Sequence, residues 1–172
     1  MSHGSQRRFC AAIKQHNPLD FIETTVLDVG SLDVNGSNRW LFKGCKSTYL
    51  GIDLIAGKGV DRVAKVSEIE GEFGIVISTE VLEHDPDWRF TLIGMHRRVR
   101  SGGLLIITCG GPGRPEHGTR ACPMPGMSND TDYYRNLSVI ELLSHLPLQD
   151  YLTYDAIYNG KKQDVYFFGR RR

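Results

Sequence analysis

Short apolar runs that end at an aspartate or a glycine are the feature that most constrains this chain. Residues 24–30 (TTVLDVG) and 48–53 (TYLGID) are rich in β-forming residues and almost wholly apolar before the acid. A strand without alternating polar residues is buried on both faces, as in parallel sheets covered by helices. Similar strands are predicted over residues 73–78 and 104–108, and a weaker one over residues 61–66. These runs predict a mainly parallel sheet.

Helical segments alternate with these strands. Residues 6–15 are predicted to form a short helix, because Asn17-Pro18 prevents its continuation. Ser37 is a suitable N-cap for a second helix over residues 38–42. The sequence Ser138-Val139-Ile140-Glu141 is a capping box, which predicts that another helix begins there.

The helix between the strands at residues 73–78 and 104–108 has the clearest predicted limits. Asp85 can cap its first turn, and Gly102-Gly103 ends it. Its apolar residues recur every three or four positions and share one face: Trp88, Leu92, Met95 and Val99. We therefore expect this helix to pack against the sheet.

The alternation of strands and helices predicts the fold class. It indicates an α/β, doubly wound, mainly parallel Rossmann-like sheet, with two antiparallel strands over residues 151–158 and 164–168. Ligands bind such sheets outside the carboxyl ends of the strands. This rule directs attention to four segments: residues 28–36, Asp53, residues 79–84 and residues 109–117.

Composition excludes several classes of protein. The chain has 172 residues, with 21 Lys+Arg and 20 Asp+Glu. This balance argues against wrapping nucleic acid and favours a small-molecule partner. No apolar run approaches the roughly 20 residues of a membrane helix. The first eight residues lack the apolar core of a secretion signal, and the four cysteines form no CxxC pair, so we expect free thiols in a cytoplasmic protein.

The first two strand ends together predict a nucleoside site. Gly30 lets a ligand approach the backbone, and Asp53 lies at the end of the next strand, about 20 residues beyond, where a carboxylate can accept hydrogen bonds from ribose hydroxyls. The G-x-G-x-x-G pattern of dinucleotide sites is absent. Asp33 would repel a pyrophosphate but would suit an ammonium group. An adenosyl ligand with an amino acid tail therefore fits better than NAD.

Four motifs in order resemble those of class I S-adenosylmethionine-dependent methyltransferases of the methyltransferase type 11 kind. They are VLDVG (residues 26–30), GID (51–53), STEVLEH (78–84) and RVRSGGLL (98–105). The resemblance covers roughly residues 24 to 109, about half of the chain.

This resemblance implies S-adenosylmethionine as methyl donor, and a seven-stranded sheet with an antiparallel C-terminal edge strand. Asp28 and Gly30 would line the methionine end of the cofactor, Asp53 would hold the ribose, and Thr79 and Glu80 would lie beside the sulfonium. The full set of expected cofactor-binding residues is Asp28, Gly30, Ser31, Asp33, Asp53, Leu54, Thr79 and Glu80. The chain would form one domain, residues 1–172, with an N-terminal helix in 1–20, a cofactor-binding core in 21–109, and an acceptor loop and C-terminal strands in 110–172.

The chain also departs from the family pattern. The further glycines usual near Ser31 and Leu32 are missing, so we expect the loop to take another path that uses Gly36. The linker over residues 53–73 leaves little room for its usual helix. Lys65 stands where relatives often have an acid that meets the adenine amino group.

Methyl transfer depends mainly on placing the nucleophile in line with the S–CH₃ bond, and a base is needed only where the nucleophile must lose a proton. The candidates are His117 in the Gly- and Pro-rich segment 109–132, His84 and Tyr134, with Asp87 and Tyr133 as further candidates. Glu83 is expected to point to solvent or to pair with a nearby base. The spacing of His84, Asp85, Asp87 and His117 matches no standard ligand pattern, so no metal site is predicted.

The favoured hypothesis is methyl transfer to a small-molecule or glycan-linked acceptor. Two alternatives remain open: an NAD-dependent oxidoreductase on a similar sheet, and a non-catalytic nucleotide-binding or partner-docking module. A sheet of this kind uses nearly all of a 172-residue chain. Segment 109–132 must then recognise the acceptor, unless a second copy of the chain covers the site in a homodimer.

Overall fold

The structure is a computed structural model that describes residues 4–125 and 132–172. These residues form a seven-stranded sheet. In chain order the strands are β1 (Thr25–Val29), β2 (Thr48–Asp53), β3 (Arg62–Val63), β4 (Phe73–Thr79), β5 (Val99–Gly110), β6 (Tyr151–Asn159) and β7 (Asp164–Arg171). The α-helices are α1 (Gly4–His16), α2 (Trp88–Arg98) and α3 (Val139–Ser144).

The strand order is β3-β2-β1-β4-β5-β7-β6. Strands β1 to β5 are parallel, and β7 runs antiparallel to both of its neighbours. This confirms the predicted fold class. The C-terminal strand, β7, lies one place inside the edge, which is formed by β6. Val165 and Phe167 of β7 are buried, whereas most of β6 is exposed. The more apolar strand occupies the covered position.

Two hydrophobic cores cover the two faces of the sheet. Neighbouring residues of one strand point to opposite faces, so Ile75 joins the core on the side of α1, and Val76 joins the core on the side of α2. Cys10 of α1 contributes to the first core, and Leu92 of α2 to the second. The sheet is therefore covered on both faces, as its apolar strands predicted.

The connections on both sides of β2 are short. A 3-10 helix (Asn38–Phe42) joins β1 to β2, and the Ser37 hydroxyl accepts a hydrogen bond from Arg39 N, as expected of its N-cap. Between β2 and β4 the chain forms only β3 and a 3-10 helix (Val66–Glu68). The usual helix of that linker is absent from these described residues, in agreement with its predicted reduction.

The limits predicted for the helix between β4 and β5, which is α2, were wrong at both ends. Asp85 accepts a hydrogen bond from Asp87 N at 2.8 Å, but α2 begins only at Trp88. Val99 is the first residue of β5, where it pairs with Phe73. Val99 is nevertheless buried in the same core as Trp88, so its apolar character served packing rather than a further helical turn.

None of the helices among residues 4–125 and 132–172 has both the length and the apolar character needed to cross a membrane.

Gly30 gives a test of how closely the first loop packs on the segment after β4. Its φ is +80°, and a Cβ there would lie 2.0 Å from Cγ2 of Val81. Gly71 also has a φ of +80°, but nothing lies within 4 Å of its Cβ position. We expect Gly30→Ala to lower the free energy of unfolding by about 3 kcal/mol or more, since overpacking adds to backbone strain. Gly71→Ala should cost about 1–2 kcal/mol. Urea denaturation followed by circular dichroism measures both, and equal costs would contradict the close packing.

Candidate active site

The ends of the parallel strands line one edge of the sheet. Val29 pairs with Ile52, and Thr79 pairs with Thr108, so neighbouring strands end at the same level. The sheet order also changes direction here, because the chain leaves β1 toward β2 on one side and later returns to β4 on the other. Such a switch point opens a crevice for ligands in doubly wound sheets.

The loop after β1 packs on the end of β2. The Leu32 N–H donates a hydrogen bond to Oδ2 of Asp53 at 3.1 Å, and the Ile55 N–H donates one to Oδ1 at 3.2 Å. A Cβ on Gly51 would lie only 2.7 Å from the Ser31 hydroxyl oxygen. The structure therefore packs the loop that carries Ser31 against the end of β2 that carries Asp53, and backbone amides contact both carboxylate oxygens.

Leu54 and Ile55 follow Asp53 and are exposed apolar side chains. The exposed fraction is 63% for Leu54 and 43% for Ile55. An apolar surface beside a carboxylate suits a ligand that combines a flat base with a sugar. Leu54 is one of the residues predicted to bind the cofactor, and its assignment stays a prediction.

Asp33 forms an ion pair with Lys58, with 2.8 Å between its Oδ2 and the lysine Nζ. The same carboxylate accepts a hydrogen bond from Gly36 N at 2.8 Å. The hydrogen bond from Lys58 lowers the pKa of Asp33 below its usual value. Asp33 was predicted to suit an ammonium group, and in this structure a lysine supplies one. Gly36, with a φ of +120°, lies in this altered loop.

Asp28 lies in a buried hydrogen-bond network below this loop. Asn38 Nδ2 donates to Asp28 Oδ1 at 3.1 Å and to Thr79 Oγ1 at 3.2 Å. The Tyr49 hydroxyl donates to the other oxygen of Asp28. Burial raises the pKa of Asp28 to about 6, although the hydrogen bonds from Tyr49 and Asn38 and the charge of Arg39 oppose the shift. Sequence reasoning did not find Asn38 or Tyr49.

Glu80 contacts an arginine in the interior. Its backbone has a φ of +57°, which is uncommon outside glycine and is a form of strain found at functional sites. Its Oε2 lies 3.3 Å from Nη2 of Arg114, and Arg114 also forms an ion pair with Asp164. Burial, reinforced by the charge of Glu83, raises the pKa of Glu80 well above its usual value. Arg114 and Asp164 carried no local sequence signal that could have identified them.

The three predicted catalytic residues meet in space. The ring centroids of His84 and His117 are 4.9 Å apart, those of His84 and Tyr134 are 5.3 Å apart, and those of His117 and Tyr134 are 4.9 Å apart. Together with Glu83 they form what we call the polar cluster. By contrast, Asp87 is exposed at the start of α2.

Backbone hydrogen bonds hold the polar cluster in place. His84 N donates to Val81 O at 2.9 Å, which forms the turn after β4. Arg135 N donates to Glu83 O at 2.8 Å, so the residue next to Tyr134 is fixed to that turn. His117 lies in segment 109–132, of which residues 126–131 are outside the described residues.

Glu83 is fully buried, so the expectation that it points to solvent was wrong. Its Oε1 accepts a hydrogen bond at 2.8 Å from the backbone N–H of Gly110, the last residue of β5. Burial raises the pKa of Glu83 and of the Tyr134 hydroxyl above their usual values. Burial, and to a smaller extent the charge of nearby His117, lowers the pKa of His84 to about 3, so this imidazole is neutral.

Several buried polar atoms of the polar cluster have no hydrogen-bond partner among the described residues. They are Glu83 Oε2, both ring nitrogens of His84, His117 Nε2 and the Tyr134 hydroxyl. Buried polar atoms are nearly always satisfied in folded proteins, so a group of unsatisfied ones indicates a place for a ligand, an ion or water. The sequence motif STEVLEH contains two of these residues, but their burial could not be read from it.

A second feature is an open cavity that Arg114 helps to line. The cavity has a volume of about 490 Å³, with Arg8, Lys161 and Lys162 contributing positive charge to its lining. Its volume is in the range of sites for small molecules.

Comparison with solved structures identifies the fold. The chain matches 1,6-didemethyltoxoflavin-N1-methyltransferase from Burkholderia thailandensis with a TM-score of 0.66 and 18% identity, over 98% of this chain and 78% of that one. It matches magnesium protoporphyrin IX methyltransferase from Synechocystis with a TM-score of 0.64 and 12% identity, over 98% and 80% of the two chains. The fold is that of the class I methyltransferases.

The same fold also supports other chemistry. The [4+2]-cyclase SpnF matches with a TM-score of 0.64 and 13% identity, over 95% of this chain and 83% of that one. No protein-family model and no curated protein matches the sequence. Function must therefore be argued from the site, because a fold by itself does not specify a reaction.

Replacing Arg114 tests the buried ion pairs. We expect Arg114→Met to lower the free energy of unfolding by about 3–5 kcal/mol, because Glu80 and Asp164 stay buried after losing the guanidinium. Arg120→Met is the matched control, since the ion pair of Arg120 with Asp132 is exposed, and it should cost less than about 1 kcal/mol. Chemical denaturation of both variants measures the difference. A loss for Arg114→Met no larger than that of its control would show that the pairs contribute little.

The raised pKa of Asp28 predicts a pH-dependent contribution to stability. Because the folded state holds this proton more tightly than the unfolded chain, the contribution is present below pH 4 and is lost as pH rises through about 6. A shift of this size corresponds to up to about 3 kcal/mol. Asp28→Asn should therefore flatten the pH dependence of unfolding between pH 4 and 7, whereas Asp155→Asn on exposed β6 should leave it unchanged. Parallel curves for wild type and Asp28→Asn would contradict this.

Proposed function

We propose that the protein transfers a methyl group from S-adenosylmethionine to a small-molecule or glycan-linked acceptor. The observation that carries the proposal is that one edge of a sheet with the methyltransferase fold carries both a carboxylate suited to ribose, at the end of β2, and the polar cluster, after β4. Two of the structural neighbours support it, since one was crystallised with S-adenosylhomocysteine and another with S-adenosylmethionine.

The residues of the crevice fit an adenosyl cofactor. Asp53 remains partly exposed and can accept hydrogen bonds from ribose hydroxyls, with exposed Leu54 beside it for the adenine. In the loop after β1, the Ser31 hydroxyl is buried with no partner among the described residues. We assign cofactor contacts to Asp28, Gly30, Ser31, Asp33, Asp53, Leu54, Thr79 and Glu80.

When bound, S-adenosylmethionine supplies a methyl group already activated by the sulfonium. The protein must then hold the acceptor in line and exclude water, and orientation of this kind can contribute several kcal/mol. We propose that His84, His117 and Tyr134 contact the acceptor and orient its nucleophilic atom. The unsatisfied polar atoms of these residues are available for hydrogen bonds to it.

The cavity beside Arg114 suits the remainder of the acceptor. Its volume of about 490 Å³ matches a small molecule. The positive charge of Arg8, Lys161 and Lys162 favours an acceptor that carries an anionic group.

Calorimetry with S-adenosylhomocysteine tests the proposed function. We expect the wild type to bind it, and Asp53→Ala to bind about 10- to 100-fold more weakly, because hydrogen bonds to a charged group are lost. Asp155→Ala removes an exposed carboxylate from β6 and should bind as the wild type does. Thermal unfolding of each variant confirms that it is folded.

Two outcomes would overturn the proposal: folded wild type that fails to bind S-adenosylhomocysteine, or Asp53→Ala that binds it with unchanged affinity. Enhanced NADH fluorescence on adding the protein would instead favour the oxidoreductase alternative. Binding of S-adenosylhomocysteine without methyl transfer to any of a broad panel of acceptors would favour a non-catalytic module.

A further inference from the structure

We propose that Glu83, His84 and His117 form a binding site for a divalent transition-metal ion of the Zn²⁺ type. One ligand atom from each residue lies within 4.8 Å of those of the other two. The sequence had predicted no metal site, because the local spacing matched no ligand pattern. The tertiary structure supplies the third ligand from a distant loop.

The available ligand atoms support this inference. Glu83 Oε2, the His84 nitrogens and His117 Nε2 are buried and have no hydrogen-bond partner among the described residues. Buried groups of this kind usually have a partner in a folded protein. A single metal ion would satisfy one atom from each of the three residues at once.

The surroundings orient the ligands as metal sites usually do. His117 Nδ1 lies 3.0 Å from the carbonyl oxygen of Pro115, which can only accept, so Nδ1 carries the proton and Nε2 presents its lone pair. Gly110 N donates to Glu83 Oε1 at 2.8 Å, which leaves Oε2 as the ligand atom. Each of these two ligands is thus held by a backbone group.

The buried charge at this corner also favours a cation. The side chains of Glu80, Glu83 and Asp164 are buried near one another, and Arg114 supplies one positive charge to them. A divalent ion bound to Glu83 would supply two more positive charges. Positive charge added here would lower the cost of burying these carboxylates.

The type of ligand selects the metal. Two imidazoles with one carboxylate is a set used by catalytic zinc sites, which leave a further position open. Mg²⁺ prefers oxygen ligands throughout and is disfavoured here. Tyr134 is the neighbour best placed to bond to whatever occupies an open position, because its ring packs against both histidines.

With a metal in this place, His84 and His117 would act on the acceptor through the ion, and Tyr134 would contact the acceptor directly. The ion would polarise a hydroxyl of the acceptor and help it to lose its proton. This role rests on the proposed methyl transfer, whereas metal binding does not. Metal binding and cofactor binding can therefore be tested separately on the same samples.

The experiment uses the 172-residue chain without a polyhistidine tag, freed of metal by dialysis against a chelator. We expect calorimetry with ZnCl₂ to show one site per chain, with much weaker binding of MgCl₂. His117→Ala and His84→Ala should each bind Zn²⁺ at least about tenfold more weakly. His16→Ala, which removes an exposed histidine of α1, should bind it as the wild type does. Co²⁺ gives a second readout, since its visible absorption reports imidazole coordination.

Wild type that binds no Zn²⁺ would overturn the metal site, as would His84→Ala and His117→Ala variants that both bind it with unchanged affinity. Circular dichroism establishes that each variant is folded, and the two histidine variants guard against misfolding of either one. Wild type that binds S-adenosylhomocysteine but no Zn²⁺ would reject this inference alone. Zn²⁺ binding without S-adenosylhomocysteine binding would reject the proposed function alone.

Discussion

The guanidinium of Arg114 joins parts of the chain that are far apart in sequence. It meets Glu80 at the end of β4 and Asp164 at the start of β7, and Asp164 accepts a hydrogen bond from Ser5 of α1 at 3.2 Å. Because Arg114 precedes His117 in the same loop, these contacts fix the loop that carries the histidine. Removing one partner of a buried ion pair is costly, although the whole pair adds little net stability compared with apolar residues of the same shape; such pairs can also define a single arrangement.

The polar cluster beside Arg114 lowers the stability of the folded state. A buried polar atom without a partner costs about 1–3 kcal/mol, and several meet here. Glu80, with its φ of +57°, adds backbone strain at the same edge of the sheet. A sequence that keeps such features in its interior sacrifices stability at this point, which is typical of sites that bind ligands.

Much of the fold could be predicted because the signals were local. Apolar runs located β1, β2, β4 and the centre of β5, and the carboxyl-end rule placed Asp53 and the segment after β4 at one edge. Errors arose where one apolar residue suits two elements. Val99 fits the face of a helix, but its pairing with Phe73 places it in a strand. Pairing between strands is not visible in local periodicity.

The sequence by itself determined the order of the elements, the crevice, and the Gly30–Asp53 spacing, because these depend on residues close together in the chain. Only the tertiary structure decided what the polar side chains meet. It placed His84, His117 and Tyr134 in contact and buried Glu83 beneath them. Partners and burial are set by packing between distant segments, and packing also sets the pKa values and the unsatisfied atoms on which the chemistry depends.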